Sequence, residues 1–296
     1  MLKKELYIKS PMNYIGGKGK ILPQLLPLFP QNISTFVDLF CGGCNVGINV
    51  DAKRIKFNDN ITYLIDLYNA FLSTSQKNVL KHIYKRIEQF QLSITNEQGY
   101  KDLRTLYNKQ RNSLDLFVLM AYGFNNQIRF NSAHEFNIPF GKNRSSFNPK
   151  MEENLKRFLD KLHTNDVNFS CLNFDKVNLG ELTEDDFVYC DPPYLITTGT
   201  YNDGKRGFTG WSDGEEKKLL EILDNLNERN IKFALSNVIT HKGKTNNILL
   251  DWVRSKEHHM IHLNKDYSNS NYHTKDRDKK STDEVVILNY IPNLEK

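Results

Sequence analysis

From Ile33 onward the chain alternates between short apolar runs and polar turns. Ile33-Ser-Thr-Phe-Val-Asp-Leu-Phe40 stops at the pair Gly42-Gly43, and Arg54-Ile-Lys-Phe-Asn-Asp59 forms a second such run. Short apolar runs bounded by glycine and polar clusters read as strands, so residues 33–59 predict strand, turn, helix, strand. From about Ile61 to Met120 the period lengthens. Leu64, Leu67, Tyr68 and Phe71 recur at i, i+3, i+4 and i+7, Leu103, Leu106 and Tyr107 repeat the spacing, and Leu116, Val118, Leu119 and Met120 do so less regularly. That spacing predicts helices. Residues 122–150 are rich in Asn, Gly, Ser, Arg and aromatics, the composition of loops and hairpins. Strand-like runs then return at Val167–Leu172, Phe187–Cys190, Ile231–Leu235, Met260–Leu263 and Glu284–Asn289, with a helical stretch at Glu215–Glu228. The pattern predicts one doubly wound α/β domain, residues 1–70 and 161–296, interrupted by a largely helical insertion at 71–160.

Composition narrows the class. The chain has 296 residues, 39% hydrophobic and 25% charged, which describes a folded globular protein with a sizeable core. No apolar stretch is long enough to span a membrane, and no apolar leader follows Met1-Leu-Lys-Lys-Glu, so a cytoplasmic protein is expected. Four cysteines do not make a disulfide framework. Charge is uneven: Lys77 to Lys161 holds 15 Lys/Arg against 8 Asp/Glu, while the remainder carries 25 against 27. A basic insertion suits a polyanionic partner, and a solvated lysine-rich surface accounts for the same charge.

Four constellations carry chemistry. Asp38-Leu-Phe-Cys-Gly-Gly-Cys-Asn-Val-Gly47 is an acidic strand end followed by a glycine turn, and Asp59 lies 21 residues after Asp38. Glycines let backbone amides approach a nucleotide-like cofactor, and an acid after the second strand accepts from a ribose diol; a plain turn needs the same glycines. Cys41 and Cys44 spell C-x-x-C without further ligands, so no metal is expected there. His258, His259 and His262 fall on a strand-like run and read as strand or surface residues. Tyr189-Cys-Asp-Pro-Pro-Tyr194 places a carboxylate at a strand end, then two prolines that remove donors and stiffen the turn. Carboxylate, free carbonyls and an aromatic ring suit a planar amine. Pro11-Met-Asn-Tyr-Ile-Gly-Gly-Lys-Gly-Lys20 either wraps a small charged ligand or leads flexibly into a helix near Ile21. Ala121 to Asn131, continuing to Arg144, is rich in side chains that read base edges, with Lys142, Arg144 and Lys150 suited to phosphates; a hairpin with ordinary polar turns has the same composition.

In this order the pieces resemble the Dam-type (α-group) adenine-specific DNA methyltransferases. Pro11 to Lys18 is similar to that family's amino-terminal cofactor segment, Phe36 to Val46 to its glycine-rich motif, and Asn58-Asp-Asn60 to its acidic motif. Asp191 to Tyr194 is similar to its D-P-P-Y, and Tyr100-x-x-Leu-Arg104 to Asn108 with Asn125 through Gly141 to its target-recognition insertion. Ser236-Asn237 and Asp283-Glu-Val-Val have counterparts too. Cys44 stands where a small glycine is usual, Tyr14 where tryptophan is common, and Gln127 with Ala133-His134 at variable base-reading positions.

The resemblance implies a Rossmann-like S-adenosylmethionine-dependent methyltransferase fold, with a mixed, mostly parallel sheet and a mainly helical inserted target-recognition domain. It implies methyl transfer to the N-6 amine of an adenine flipped out of double-stranded DNA, with S-adenosylhomocysteine as product and no metal. It assigns Asp191, Pro192, Pro193 and Tyr194 to catalysis. Cofactor binding falls to Tyr14, Gly17, Lys18, Asp38, Phe40, Gly42, Gly43, Asp59, Asn60, Asn173, Phe174 and Asp191. DNA binding falls to Asn13, Phe124, Asn125, Gln127, Arg129, Asn131, Asn137, Pro139, Lys142 and Arg144. A bacterial or phage-encoded enzyme is implied, a monomer or weak dimer, with a cognate restriction endonuclease acting on the same site as an expected partner. Two rival readings stay open: an RNA adenine or glutamine methyltransferase, and a methyltransferase-like module that occupies DNA without turnover.

Overall fold

A computed structural model of the chain describes residues 7–13, 16–197, 211–263 and 282–293. Its centre is one mixed sheet. Five parallel strands, β1 (Ile33–Asp38), β2 (Ala52–Asn58), β3 (Asp166–Ser170), β4 (Phe187–Cys190) and β5 (Lys232–His241), take the order β3-β2-β1-β4-β5. The short β6 (Lys244–Thr245) forms a hairpin with β5. Beyond β5 come β8 (Thr282–Leu288) and then β7 (His259–Leu263), both pairs antiparallel. Central strands are buried on both faces, which is why all four residues of Phe187-Val-Tyr-Cys190 are buried. On β8 the two-residue period sorts side chains between the faces. Val286 and Leu288 join one core, Val285 and Ile287 the other.

The second core is covered by α7 (Asp213–Glu228) and α8 (Asn247–Lys256), through Leu219, Leu223, Leu249 and Val253. The first is covered by the short α1 (Leu22–Leu25) and by a helical cluster: α2 (Thr62–Ser73), α3 (Gln76–Gln89), α4 (Glu97–Gln110), α5 (Ser113–Tyr122) and α6 (Pro149–Thr164). Local chemistry sets the helix starts. Asn96, Asn112, Asn148 and Asn246 each accept a backbone amide one turn ahead, Pro149 opens α6, and Ser212 with Glu215 forms a capping box for α7. Almost wholly apolar, α5 is buried between its helical neighbours, and one apolar cluster runs from Phe57 and Phe169 on the sheet to Val79, Tyr100 and Leu119 in the helices. Among the described residues no helix is long and apolar enough to cross a membrane.

Two elements differ from the sequence expectation. No α-helix follows Gly42-Gly43; the connection from β1 to β2 has only the single 3-10 turn Gly47–Asn49. Its asparagines are spent on tertiary bonds. Asn49 Oδ1 accepts Ile8 N at 2.8 Å, and its amide donates back to Ile8 O at 2.8 Å. Asn45 Oδ1 accepts Ser10 N at 3.1 Å, so this connection holds the amino-terminal segment instead of coiling. Strand β5 also runs to His241, past the Leu235 end set by its apolar run. Ser236 and Asn237 are polar but wholly buried, because Tyr189 and Glu216 satisfy them.

Inside the helical cluster Asp115 is fully buried. Arg86 meets it through Nε at 2.7 Å and Nη2 at 3.1 Å, and His82 Nε2 lies 2.6 Å away. Burial alone would raise this carboxyl, but the bonds from His82 and Arg86 hold it below its usual range. The folded chain therefore stays deprotonated where the unfolded chain has begun to take up protons. This stabilisation is complete above the ordinary carboxylate pKa of about 3.9 and is lost as pH falls through the lower folded value. Arg86→Ala strands the carboxylate and is expected to cost about 3–5 kcal/mol in urea unfolding at neutral pH. A loss under about 1 kcal/mol would mean that the ion pair is not what the helical cluster is built around.

Candidate active site

Strand order reverses between β1 and β4, so the connections leaving their carboxyl ends diverge and open a crevice. Asp38 ends β1, and Asp191 follows β4 directly. Asn58, at the end of β2, staples the neighbouring strand ends. Its amide donates to Leu39 O at 3.1 Å and Leu172 O at 3.0 Å, while its Oδ1 accepts from Ser170 Oγ at 2.8 Å and Leu172 N at 3.2 Å.

The glycine turn sits against this staple. Asp59 accepts Gly42 N through Oδ2 at 2.9 Å and Ile61 N through Oδ1 at 3.1 Å. Burial pushes its carboxyl up to about 6 against the pull of those amides. Gly42 has φ 45° and Cys44 φ 57°, the left-handed region in which glycine is at ease. Gly47 is needed for another reason: a Cβ there would collide with the Phe57 ring. The Gly47 amide donates to Asp38 Oδ2 at 3.3 Å, whereas Asp38 Oδ1 is buried without a partner among the described residues. Burial, followed by the nearby Asp191 charge, holds the Asp38 carboxyl well above its usual range. Cys41 and Cys44 are buried, and burial raises both thiols. No group of three or more His, Cys, Asp or Glu side chains arranged for a metal occurs among the described residues.

The segment from Pro11 returns to the crevice and delivers Lys18, only 3% exposed. Lys18 Nζ lies 2.7 Å from Asp191 Oδ1 and 3.6 Å from Glu284 Oε1, and donates to the Tyr194 hydroxyl at 2.7 Å. The Tyr194 hydroxyl is also 3.0 Å from Asp191 Oδ1 and 3.2 Å from Glu284 Oε1. Both bonds to Asp191 reach Oδ1. The side chain keeps 19% exposure, and Oδ2 has no hydrogen-bond partner among the described residues. Burial lifts the Asp191 carboxyl above its usual range even against the Lys18 ammonium. Pro192 is buried behind it, with Pro193 half-buried.

The rings of Phe40, Phe174 and Trp211 form a trio with centroids 5.3–5.7 Å apart. Trp211 Nε1 donates to Glu216 Oε2 at 2.5 Å, and Glu216 Oε1 accepts from Asn237 at 3.1 Å and Asn246 at 2.9 Å. Trp211, Glu216 and Glu284 were missed from sequence. Trp211 stands just before the capping box, a visible signal, whereas Glu216 looks like part of the solvated run Asp213–Glu216, and Glu284 like a strand edge.

The structure gathers Gly17, Lys18, Asp38, Gly42, Gly43, Asp59 and Asp191 around the strand ends. Asn173 is exposed beside Phe174, and Asn60 is exposed and lines another cavity, of about 210 Å³, with Tyr63, Arg111 and His134. Tyr14 lies outside the described residues.

The polar segment after α5 folds into a hairpin bridged at Gly123–Phe140 and Phe130–Phe136. One face of α4 fastens it. The Tyr100 hydroxyl donates to Ile138 O at 2.9 Å, Arg104 to the same oxygen at 3.4 Å, and Asn108 bonds Phe136 in both directions at 3.1 and 2.8 Å. Phe124, Asn125, Arg129, Pro139, Lys142 and Arg144 are exposed, and Gln127, Asn131 and Asn137 half-buried. Arg144 lies over the Phe124 ring at 4.9 Å and donates to Asn125 Oδ1 at 3.1 Å, and Asn13 donates to Asn125 O at 3.0 Å. Arg129 holds Asn137 through Nε at 2.9 Å and Nη2 at 3.2 Å, while Asn131 Oδ1 accepts Ala133 N and Glu135 N to make the tip.

A reversed strand order, a glycine turn over a buried acid and an Asp-Pro-Pro-Tyr turn on the next strand define a Rossmann-like methyltransferase fold. The family model for D12 class N6 adenine-specific DNA methyltransferases matches residues 14–281, and the chain belongs to that family. It is 50% identical over 288 residues to the type II methyltransferase M.FokI of Planomicrobium okeanokoites, covering 97% of this chain and 44% of that protein. It is 49% identical over 284 residues to the modification methylase StsI of Streptococcus sanguinis, covering 96% and 43%. Thus it spans less than half the length of these two relatives. Against the DNA adenine methylase of Escherichia coli K12 it is 26% identical over 292 residues, covering 97% of this chain and 96% of that one.

Asn58→Ala removes the staple and leaves the buried Leu39 carbonyl and the part-buried Leu172 carbonyl and amide without it. An expected loss of about 2–4 kcal/mol in chemical unfolding follows from the usual cost of unsatisfied buried groups; an unchanged midpoint would show that the strand ends are held by the sheet alone.

Proposed function

We propose that the chain transfers a methyl group from S-adenosylmethionine to the N-6 amine of an adenine in double-stranded DNA, leaving S-adenosylhomocysteine. The observation that carries this reading is Asp191: Oδ1 is anchored, Oδ2 has no hydrogen-bond partner among the described residues, and Asp38 sits on the neighbouring strand. The family assignment supports the choice of adenine and DNA.

The crevice fits the cofactor by its donor set. Asp38 Oδ1 is a buried acceptor with no partner among the described residues, of the kind an α-ammonium satisfies. Asp59 keeps lone pairs for a ribose diol beyond its two amide bonds. Phe40, Phe174 and Trp211 offer flanking faces for a purine. When bound, S-adenosylmethionine supplies an electrophilic methyl on sulfonium: the amine lone pair makes the new N–C bond, the C–S pair stays on sulfur, and the surplus amine proton leaves to solvent.

The chain's own residues do the aligning. Asp191 Oδ2 and the Pro192 carbonyl accept the two amine hydrogens and turn the nitrogen lone pair toward the methyl. Pro193 stiffens the turn, and Tyr194 lends its ring to the flipped base. We place DNA affinity on Asn13, Lys142 and Arg144, and base reading on the hairpin through Asn125, Gln127, Arg129 and Pro139. Residues 71–160 then form the target-recognition part and the remainder the catalytic part. The modification methylases among its relatives support a cognate endonuclease as partner and a cytoplasmic setting.

Tritiated S-adenosylmethionine with unmethylated DNA tests the reading, with RNA as control. Label is expected in DNA adenine and not in RNA, and Asp191→Ala is expected to abolish it while leaving DNA binding largely intact. An Asp191→Ala chain that still methylates would remove the catalytic assignment; tight DNA binding without label in the parent chain would favour a non-catalytic module. Cofactor affinity carries a second test. Asp59 must be ionised to accept both ribose hydroxyls, and its carboxyl titrates at about 6. Calorimetric affinity is expected to be level above about pH 7 and to fall toward tenfold per pH unit below about pH 6. An affinity that does not move across that range takes Asp59 out of the ribose site.

A further inference from the structure

We propose that Glu216 is a positioning residue for the cofactor: by taking the indole N–H of Trp211 it fixes that ring as the third face, beside Phe40 and Phe174, against which the purine packs. The inference rests on the reading of the crevice as the S-adenosylmethionine site.

Trp211 lies on no helix or strand, one residue before the N-cap Ser212, so no backbone ladder sets the direction of its side chain. Among the described residues, two ring contacts and one hydrogen bond do so. Its centroid is 5.7 Å from that of Phe40, edge-on, and 5.3 Å from that of Phe174, and its Nε1 donates to Glu216 Oε2 at 2.5 Å. Ring contacts tolerate sliding, whereas a bond to a carboxylate is directional. Glu216 is itself held from two further elements. Its Oε1 accepts Asn237 of β5 at 3.1 Å and Asn246, the N-cap of α8, at 2.9 Å. Neither asparagine can turn its amide around, because Asn237 Oδ1 accepts Val238 N at 2.8 Å and Asn246 Oδ1 accepts Leu249 N at 3.1 Å. Three fixed donors therefore converge on two oxygens, which a carboxylate satisfies and a carboxamide cannot.

The packing of α7 gives no reason for an acid there. Glu216 is 1% exposed and opens the buried stripe continued by Leu219, Leu220 and Leu223 at i+3, i+4 and i+7, where an apolar side chain would extend the core. Ser212 and Glu215 already cap the helix. Burial lifts the Glu216 carboxyl above its usual range, so a charge kept at this point costs stability. A residue that breaks the apolar pattern of its helix while orienting a ring beside Phe40 and Phe174 is where function overrides stability.

The test compares two ligands on the full chain and on Glu216→Gln. S-adenosylhomocysteine is titrated by calorimetry. S-ribosylhomocysteine, which keeps the ribose and amino-acid parts and lacks the purine, is titrated by NMR at millimolar concentration. Glu216→Gln is expected to weaken S-adenosylhomocysteine about tenfold, the scale of one lost aromatic contact, and to leave S-ribosylhomocysteine within about twofold. The chain has two tryptophans, and the indole N–H resonance absent from Trp211→Phe is expected to move upfield in ligand-free Glu216→Gln. In the Trp211→Phe background, which has no indole N–H to hold, Glu216→Gln is expected to cost no further affinity. An unchanged S-adenosylhomocysteine affinity overturns the inference. So does an equal loss for both ligands, a loss that adds to that of Trp211→Phe, or a Glu216→Gln chain that does not fold, since the acid would then serve the structure at large. A parent chain that binds neither compound overturns the reading of the crevice itself, and the inference falls with it.

Discussion

Two carboxylates stand at the ends of adjacent strands, Asp38 closing β1 and fully buried, Asp191 just after β4 and only 19% exposed. Burying like charges side by side is costly, and much of the surrounding architecture answers that cost. Asp38 titrates high, and Asp191 receives Lys18 from a segment that begins far away in sequence. The lysine can arrive only if that segment is held against the sheet. Asn45 and Asn49 hold it by its backbone at Ser10 and Ile8, which is why the connection after the glycine turn is a pinned loop and not a helix.

The same segment joins the crevice to the hairpin. Asn13 bonds the Asn125 carbonyl five residues before Lys18 ties Asp191. The hairpin is fixed from behind by Tyr100, Arg104 and Asn108 on one face of α4, and α4 packs on α5 in the core that continues to the sheet. The exposed side chains of the hairpin and the Asp191 carboxylate therefore share one support. Arg129 and Asn137 are already bonded to each other, as are Arg144 and Asn125. Such pairs hold polar groups in a set orientation before any contact, which reduces the ordering that binding must supply.

Fold class, the order of the main strands and helices, and the four segments that meet at the site were legible in the sequence. They depend on local signals: apolar period, glycine and proline turns, and acids placed at strand ends. Asp38, Asp59 and Asp191 stood out in the sequence as acids at the ends of strand-like runs beside glycine or proline turns, and the structure places all three at strand ends. What the chain alone could not decide is which distant groups neutralise or orient these acids. Glu284 and Glu216 sit in stretches that look like a strand edge and a solvated helix start, and only packing shows them buried against Lys18 and Trp211. Ser236 and Asn237 ended the apolar run of β5 on paper, yet the strand continues because Tyr189 and Glu216 satisfy them. Periodicity records how a residue relates to its sequence neighbours, whereas the charge state and hydrogen bonding of a buried polar group are set by partners brought from other segments, and those exist only once the chain has folded.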